Sequence, residues 1–441
     1  MSRCLNVNNR DQNGQSGYIK RRGTPRVVIR AAPEKPRPCA TEFESIALLL
    51  QGGGALGAYQ AGVFERLLEQ GVEPTWVAGI SIGAINSAII AGNKAEDRVA
   101  KLREFWELVS PTDAFGIGDF WAQFAITDDA RAWINQWHAG NVMLKGVPGF
   151  FEPRVPPDYL PGARSNTPSY YDTSPLRATL ERLVDFDRIN DGKMRLSVGA
   201  VNVRTGDFKY FDTEDESCII RAEHVMASGA LPPAFGAVEI DGEYYWDGGL
   251  VSNTPLDWVL SGRAGLDTLI WQVDLWSADG TLPHDLATAA VRMKEIQYSS
   301  RTRAATDHFR DSERYRAAFN ELLAQMPPEL ANTEQAKMLA KASDQAVYNI
   351  VQLVYHSPTY EAQSKDYEFS RRTMLDHWRA GYEDAAKTLA HPEVLCPPAP
   401  ADSPVVYDFL SVRHRTAVAS ADSKNKANHI ESMSTVKESS K

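Results

Sequence analysis

Hydrophobic positions along this chain follow two rhythms. Short apolar runs bounded by Gly, Pro or polar residues predict buried strands over 46–50, 76–78, 196–203, 208–211 and 268–273. Helical patterns over 61–70 and 84–91 follow the first two runs, and 238–245 reads as a hairpin turning at Asp241-Gly242. Strand and helix therefore alternate across 45–275, which predicts an α/β fold with a mostly parallel sheet. From residue 284 the rhythm changes. Segments 286–298, 310–326, 332–354 and 367–390 read as helices, punctuated by Pro327-Pro328 and Ser357-Pro358. In the third of these, Val347, Ile350, Val351 and Val354 have i, i+3, i+4, i+7 spacing, which predicts the core-facing stripe of a helix.

The ends and one insertion differ from this. Residues 1–42 read as a flexible basic arm: residues 1–40 hold nine Lys or Arg against Asp11 and Glu34, with no apolar stretch of the kind a secretory signal needs. A leader with no role is one reading of it; a tether to an anionic membrane surface, giving peripheral contact, is the other. Residues 411–441 are rich in Ser, Lys and Ala and read as a disordered tail. Between about 106 and 175 lies an insertion carrying Phe115, Phe120, Trp121, Phe124, Trp133, Trp137, Phe150, Phe151, Tyr159, Tyr170 and Tyr171. It would form either a lid or acyl-chain wall, or a subsidiary core. No run approaches the roughly 18 apolar residues of a membrane span.

Composition narrows the function classes. The chain has 441 residues, 43% of them hydrophobic, and a formal net charge of −10. That is ample for one large domain with extensions, and the acidic balance argues against nucleic acid as the main partner. Cys4, Cys39, Cys218 and Cys396 are scattered, so neither a disulfide framework nor a zinc site is expected, and a reducing, cytoplasmic setting is the simpler reading. Oligomeric state is not legible.

The chemistry is carried by three segments. Gly79-Ile80-Ser81-Ile82-Gly83 joins a strand to a helix. A serine flanked at two-residue distance by glycines on such a turn is how a hydrolase presents a nucleophile. The helix dipole then favours the negative charge formed on attack. Upstream, Gly52-Gly53-Gly54-Ala55-Leu56-Gly57 runs from the first strand into a helix, and its backbone N–H groups could form an anion nest. Beside a nucleophile the natural anion is the oxyanion of a tetrahedral intermediate. Gly52, Gly54 and Gly57 also match the dinucleotide fingerprint, with Glu73 near the distance of its ribose acid. That acid should close the second strand, and here the strand ends in the serine turn. Downstream, Asp247-Gly248-Gly249 is an ordinary turn sequence on its own. With the other two segments present, Asp247 becomes a candidate general base.

These segments in this order, with Met226-Ala227-Ser228-Gly229-Ala230-Leu231-Pro232-Pro233-Ala234-Phe235 between the second and third, resemble the patatin-like phospholipase family over residues 45–260. The resemblance implies a three-layer α/β/α sandwich with a mostly parallel central sheet, followed here by a helical C-terminal region. It implies a lipid acyl hydrolase that needs no metal or cofactor and acts on lipid or other acyl-ester substrates. Ser81 would be the nucleophile and Asp247 its base, in a dyad without histidine. Gly52, Gly53 and Gly54 would supply the oxyanion hole, and Gly57, Gly79, Gly83, Gly248 and Gly249 would support the motifs. Leu56 stands where many members carry Arg or Lys.

Two alternatives remain open from the residues. His284 follows the aspartate and could complete a Ser-His-Asp triad, although it could equally precede a helix cap. His224 reads as a packed helix residue. The chain could also be a lipid- or protein-binding module on a hydrolase fold, or an esterase for a non-phospholipid ester.

Overall fold

A computed structural model of the protein describes residues 42–111, 128–155, 167–262, 265–342, 346–358, 361, 364–400 and 402–410. The basic arm before residue 42 and the tail 411–441 lie outside the described residues, as do Phe115, Phe120, Trp121, Phe124 and Tyr159 of the insertion.

The strands are β1 (Ser45–Leu50), β2 (Trp76–Gly79), β3 (Glu152–Pro153), β4 (Tyr171–Asp172), β5 (Arg195–Asn202), β6 (Phe208–Asp212), β7 (Val238–Ile240), β8 (Glu243–Asp247), β9 (Thr268–Asp274), β10 (Tyr348–Val354) and β11 (Val405–Tyr407). Apart from the small β3–β4 pair they form one sheet in the order β11-β10-β9-β1-β2-β5-β8-β7, with β6 also paired to β5. Neighbours from β11 to β5 run parallel, whereas β8, β7 and β6 pair antiparallel. The expected mostly parallel α/β sheet is therefore present.

Both faces of the sheet are buried, which explains why its central strands read as continuous apolar runs. Alternate side chains of β1 separate cleanly: Leu48 and Leu50 join one core cluster, Ala47 and Leu49 the other. Helices Ala58–Glu69, Ile82–Ala91, Arg98–Val109 and Arg371–Leu389 cover the first face. Helix Leu256–Ser261 and Phe309 of the long helix Leu286–Ala324 cover the second. The result is three layers, α/β/α.

The C-terminal region is mostly helical, with one correction. The stripe at Val347, Ile350, Val351 and Val354 belongs to a strand, β10, inserted between β9 and β11. Its true period is two: Tyr348 and Ile350 pack into one core cluster, Val351 and Leu353 into the other. An apolar run buried on both faces fits either rhythm, and pairing with β9 decides it. The expected helices over 286–298 and 310–326 are one helix, Leu286–Ala324, since neither Gly nor Pro interrupts 299–309. Asp285 caps it, accepting from the Thr288 N–H at 2.7 Å.

The last long helix is joined to the body by close backbone approach. A Cβ on Gly62 would lie 1.9 Å from the Trp378 carbonyl oxygen, and one on Gly381 2.0 Å from that of Tyr59. Only glycine on both sides lets helices Ala58–Glu69 and Arg371–Leu389 meet this closely.

Candidate active site

β2 ends at Gly79 and helix Ile82–Ala91 begins three residues later. Ser81, between them, has φ 56° and ψ −125°, a backbone conformation that costs a non-glycine residue energy. The turn is tight enough that a Cβ on Gly83 would fall 2.1 Å from the Leu50 carbonyl oxygen. Gly79 sits against Gly83 in the same way, so the two motif glycines serve the turn. The Ser81 N–H donates to the Ser228 hydroxyl at 2.9 Å. Ser81 is thereby held out of the sheet at the helix N-terminus, where the dipole is positive.

The aspartate arrives from the neighbouring part of the sheet. β8 pairs antiparallel with β5 and delivers Asp247 at its end, 3% exposed. Its Oδ1 accepts from the Gly249 N–H at 2.7 Å. Burial pushes the carboxyl up to about 7, against opposing pulls from the Gly249 N–H and the Ser81 hydroxyl. A carboxylate held near neutrality can both take and return a proton at physiological pH.

The glycine loop closes the third side. The Gly52 N–H is committed to the Asn253 carbonyl at 3.2 Å. The Gly52 carbonyl is clamped by Asn253 Nδ2 at 3.0 Å and Trp276 Nε1 at 2.9 Å. In a trans peptide N–H and C=O point oppositely, so this clamp turns the Gly53 N–H away from Asn253 and Trp276. The Gly53 carbonyl accepts from Leu56 N at 3.2 Å, which likewise orients the Gly54 N–H. Among the described residues the N–H groups of Gly53 and Gly54 have no acceptor. Behind the loop Gln51 is fully buried: its Oε1 accepts from Leu275 N at 2.6 Å and Trp276 N at 3.0 Å, and its Nε2 donates to Thr254. Gly57 lies further back, its carbonyl accepting from Asn86.

Ser81, Asp247, Gly52, Gly53, Gly54 and Gly249 line one cavity of about 440 Å³. Its remaining wall is largely apolar and includes Ile82, Ile85, Val142, Phe150, Phe151, Leu231, Phe235 and Phe369. The rings interlock: Phe151 lies 4.9 Å from Tyr171 and 5.1 Å from Phe235, centroid to centroid. Of the insertion's aromatics, Phe150, Phe151, Tyr170 and Tyr171 line this cavity, whereas Trp137 is exposed and does not.

Among the described residues no histidine lines this cavity. His284 is exposed just before the cap of the long helix. His224 is buried, its Nδ1 accepting from Arg221 N at 2.9 Å, and burial pushes it down to about 4. Glu73 of the rejected dinucleotide reading pairs with Arg98 at 2.6 Å. Sequence reasoning missed Ser228, Asn253 and Trp276. Ser228 stands inside the segment that precedes Asp247 and Asn253 lies six residues after Asp247, but nothing local marks either as a clamp.

A family model described as patatin-like phospholipase matches residues 48–260, and one described as patatin phospholipase matches 296–401. The chain belongs to the patatin-like phospholipase family. An uncharacterized NTE family protein of Mycobacterium tuberculosis is 37% identical over 110 residues, 24% of this chain and 18% of the relative. One of Mycobacterium bovis is 37% identical over 111 residues, again 24% and 18%. The chain thus matches about a fifth of the length of these curated relatives. A solved structure, VipD from Legionella pneumophila, aligns over 79% of this chain and 67% of its own at 17% identity, with a TM-score of 0.34. No described helix is long and apolar enough to cross a membrane.

Proposed function

We propose that this protein is a serine acyl-ester hydrolase of the phospholipase A kind, releasing fatty acids from lipid esters through a Ser81-Asp247 dyad. One observation carries the reading: a strained serine and a buried aspartate pushed up to about 7 open onto the same apolar cavity. The acyl chain occupies the wall of Phe150, Phe151, Phe235 and Phe369, and the carbonyl carbon lies against Ser81 Oγ.

Asp247 removes the Ser81 proton as Oγ bonds to the carbonyl carbon, and the carbonyl π pair moves onto oxygen. The free N–H groups of Gly53 and Gly54 stabilise that oxyanion; Gly52, whose own N–H is engaged, shapes the loop. Collapse breaks the bond to the alcohol, which leaves with the proton from Asp247. Water then attacks the acyl-enzyme carbonyl, Asp247 again accepting a proton; collapse breaks the bond between that carbon and Ser81 Oγ, Asp247 returns the proton to Oγ, and the fatty acid departs. No step draws on a metal or cofactor. Peripheral contact with a membrane would bring substrate to the cavity.

The test is hydrolysis of an ester series, from short p-nitrophenyl esters to long-chain phospholipids, by wild type, Ser81→Ala and Asp247→Asn. Activity that rises with chain length and vanishes in both variants supports the proposal. Activity confined to short esters reassigns the protein as a general esterase. A folded protein inactive on every ester points to a binding module.

A further inference from the structure

The catalytic groups all lie within residues 52–253, yet the glycine loop is also held from outside that span. The segment before the last helix passes directly over it. The Asp366 carbonyl accepts the Ala55 N–H at 2.9 Å. The approach is so close that a Cβ on Gly54, at φ +57°, would lie 2.0 Å from that oxygen. On the other side of the same residue, the Ala55 carbonyl faces His377 Nδ1 at 3.4 Å. His377 is fully buried on helix Arg371–Leu389, and its Nε2 meets Glu361 Oε1 at 3.0 Å. Tyr355 donates to the same carboxylate oxygen at 2.6 Å.

Both atoms facing the imidazole belong to acceptors, a carbonyl and a carboxylate. Both ring nitrogens therefore carry protons. Burial works against a charged His377, but the carboxylates of Glu361 and Glu368 outweigh it and raise its pKa. Glu361 is held low although burial opposes this, by His377, by the Tyr355 hydroxyl and by Lys365. The pair is a buried imidazolium-carboxylate, and its remaining donor points at the glycine loop.

We propose that His377 and the Asp366 carbonyl are positioning groups for the oxyanion loop, gripping the Ala55 residue from both sides so that the Gly53 and Gly54 N–H groups stay aimed at the Ser81 reaction centre. The inference rests on the hydrolase reading above. It makes the C-terminal region part of the catalytic machinery. The grip is braced from the long helix, where Lys294 pairs with the Asp366 carboxylate at 2.7 Å and Glu295 with Lys365 at 2.8 Å. The ordinary alternative is that the buried pair only joins the last helix to the body, as the Gly62 and Gly381 contact already does.

The two roles separate by kinetics in the full-length protein. His377→Leu deletes the donor to Ala55 and is expected to lower kcat roughly tenfold or more with KM within about twofold, the signature of a lost transition-state contact. His377→Gln keeps an N–H donor and is expected to recover much of that loss. Glu361→Gln lets a neutral imidazole keep its Nδ1 proton, so kcat is expected to stay within about threefold of wild type. Should His377→Leu fail to fold, Lys294→Ala on the partly exposed face releases Asp366 and lowers kcat, while Lys294→Arg restores it. Each variant is also read by the rate at which a long-chain alkyl fluorophosphonate modifies Ser81. This reaction uses the nucleophile and the loop without ester turnover. Wild type that is modified but hydrolyses no ester counts against the substrate reading alone. Modification at the wild-type rate in His377→Leu, or in Lys294→Ala where that variant stands in for it, overturns the positioning role. So does a loss that neither His377→Gln nor Lys294→Arg restores.

Discussion

Ser81 is held by Ser228: the backbone N–H of the first donates to the hydroxyl of the second at 2.9 Å, and that hydroxyl donates onward to the Gly199 carbonyl at 2.7 Å. The link ties the turn after β2 to β5 through a side chain that is 0% exposed. Ser228→Ala takes the acceptor from the partly buried Ser81 N–H and one donor from the Gly199 carbonyl. The expected cost is about 1–3 kcal/mol of stability. Because Ser81 is strained, the released turn is also expected to relax, and kcat should fall by roughly tenfold or more. Thermal unfolding and ester kinetics on the same preparation check both. A variant that loses stability but keeps kcat would show that the strain is maintained by Gly79 and Gly83 alone.

The pH dependence of turnover follows from Asp247. Only the ionised carboxylate can accept the Ser81 proton, and burial places its titration at about 7. The value of kcat/KM is therefore expected to rise with pH through an apparent pKa near 7 and then level off. Asp247→Asn should lower it by about two to four orders of magnitude. A midpoint near 4, the ordinary carboxyl value, would mean that the carboxylate is solvated in the working enzyme.

The same burial has an opposite consequence for stability. Asp247 and Asp274 are both pushed up to about 7, chiefly by burial, with the nearby Asp408 also raising Asp274. Between the unfolded value near 4 and the folded value the native state holds protons that the unfolded chain has lost. This contribution is fully present below about pH 4 and is lost as pH rises through 7. Asp274→Asn, which cannot ionise, is expected to be more stable relative to wild type at about pH 8 than at about pH 5. Denaturant unfolding at the two pH values measures the difference, and equal differences would show that Asp274 is ionised throughout.

Legibility divided along physical lines. The turn carrying Ser81, the glycine loop and the β1, β2, β5 and β9 strands could be read because each rests on local sequence: glycines at fixed offsets and apolar runs between turn residues. Strand β10 could not, since Ile350 and Val351 fit a helical stripe and a doubly buried strand alike, and only the edge offered by β9 decides. Gly52, Gly53 and Gly54 look interchangeable in sequence. Asn253, 201 positions away, makes them different. His377 and Asp366 share this difficulty, for their meaning comes from where the chain passes over Ala55.

Two glycine substitutions test how the last helix is joined to the domain. Gly381 faces the Tyr59 carbonyl, where an added Cβ would lie at 2.0 Å from oxygen. The obstacle is backbone in a packed helix, so Gly381→Ala must push helices Ala58–Glu69 and Arg371–Leu389 apart. A loss of about 1–3 kcal/mol is expected. Gly140 lies within helix Asp128–Lys145, and a Cβ there would meet nothing within 4 Å. Gly140→Ala therefore gains the helical preference of alanine and should stabilise by about 0.5–1 kcal/mol. Helix Ala58–Glu69 follows directly on the glycine loop, so Gly381→Ala is also expected to lower kcat while Gly140→Ala leaves it unchanged. Unfolding free energies and kcat for the pair, measured side by side, give the comparison. Unchanged stability and kcat in Gly381→Ala would show that the last helix sits loosely on the domain and takes no part in shaping the loop.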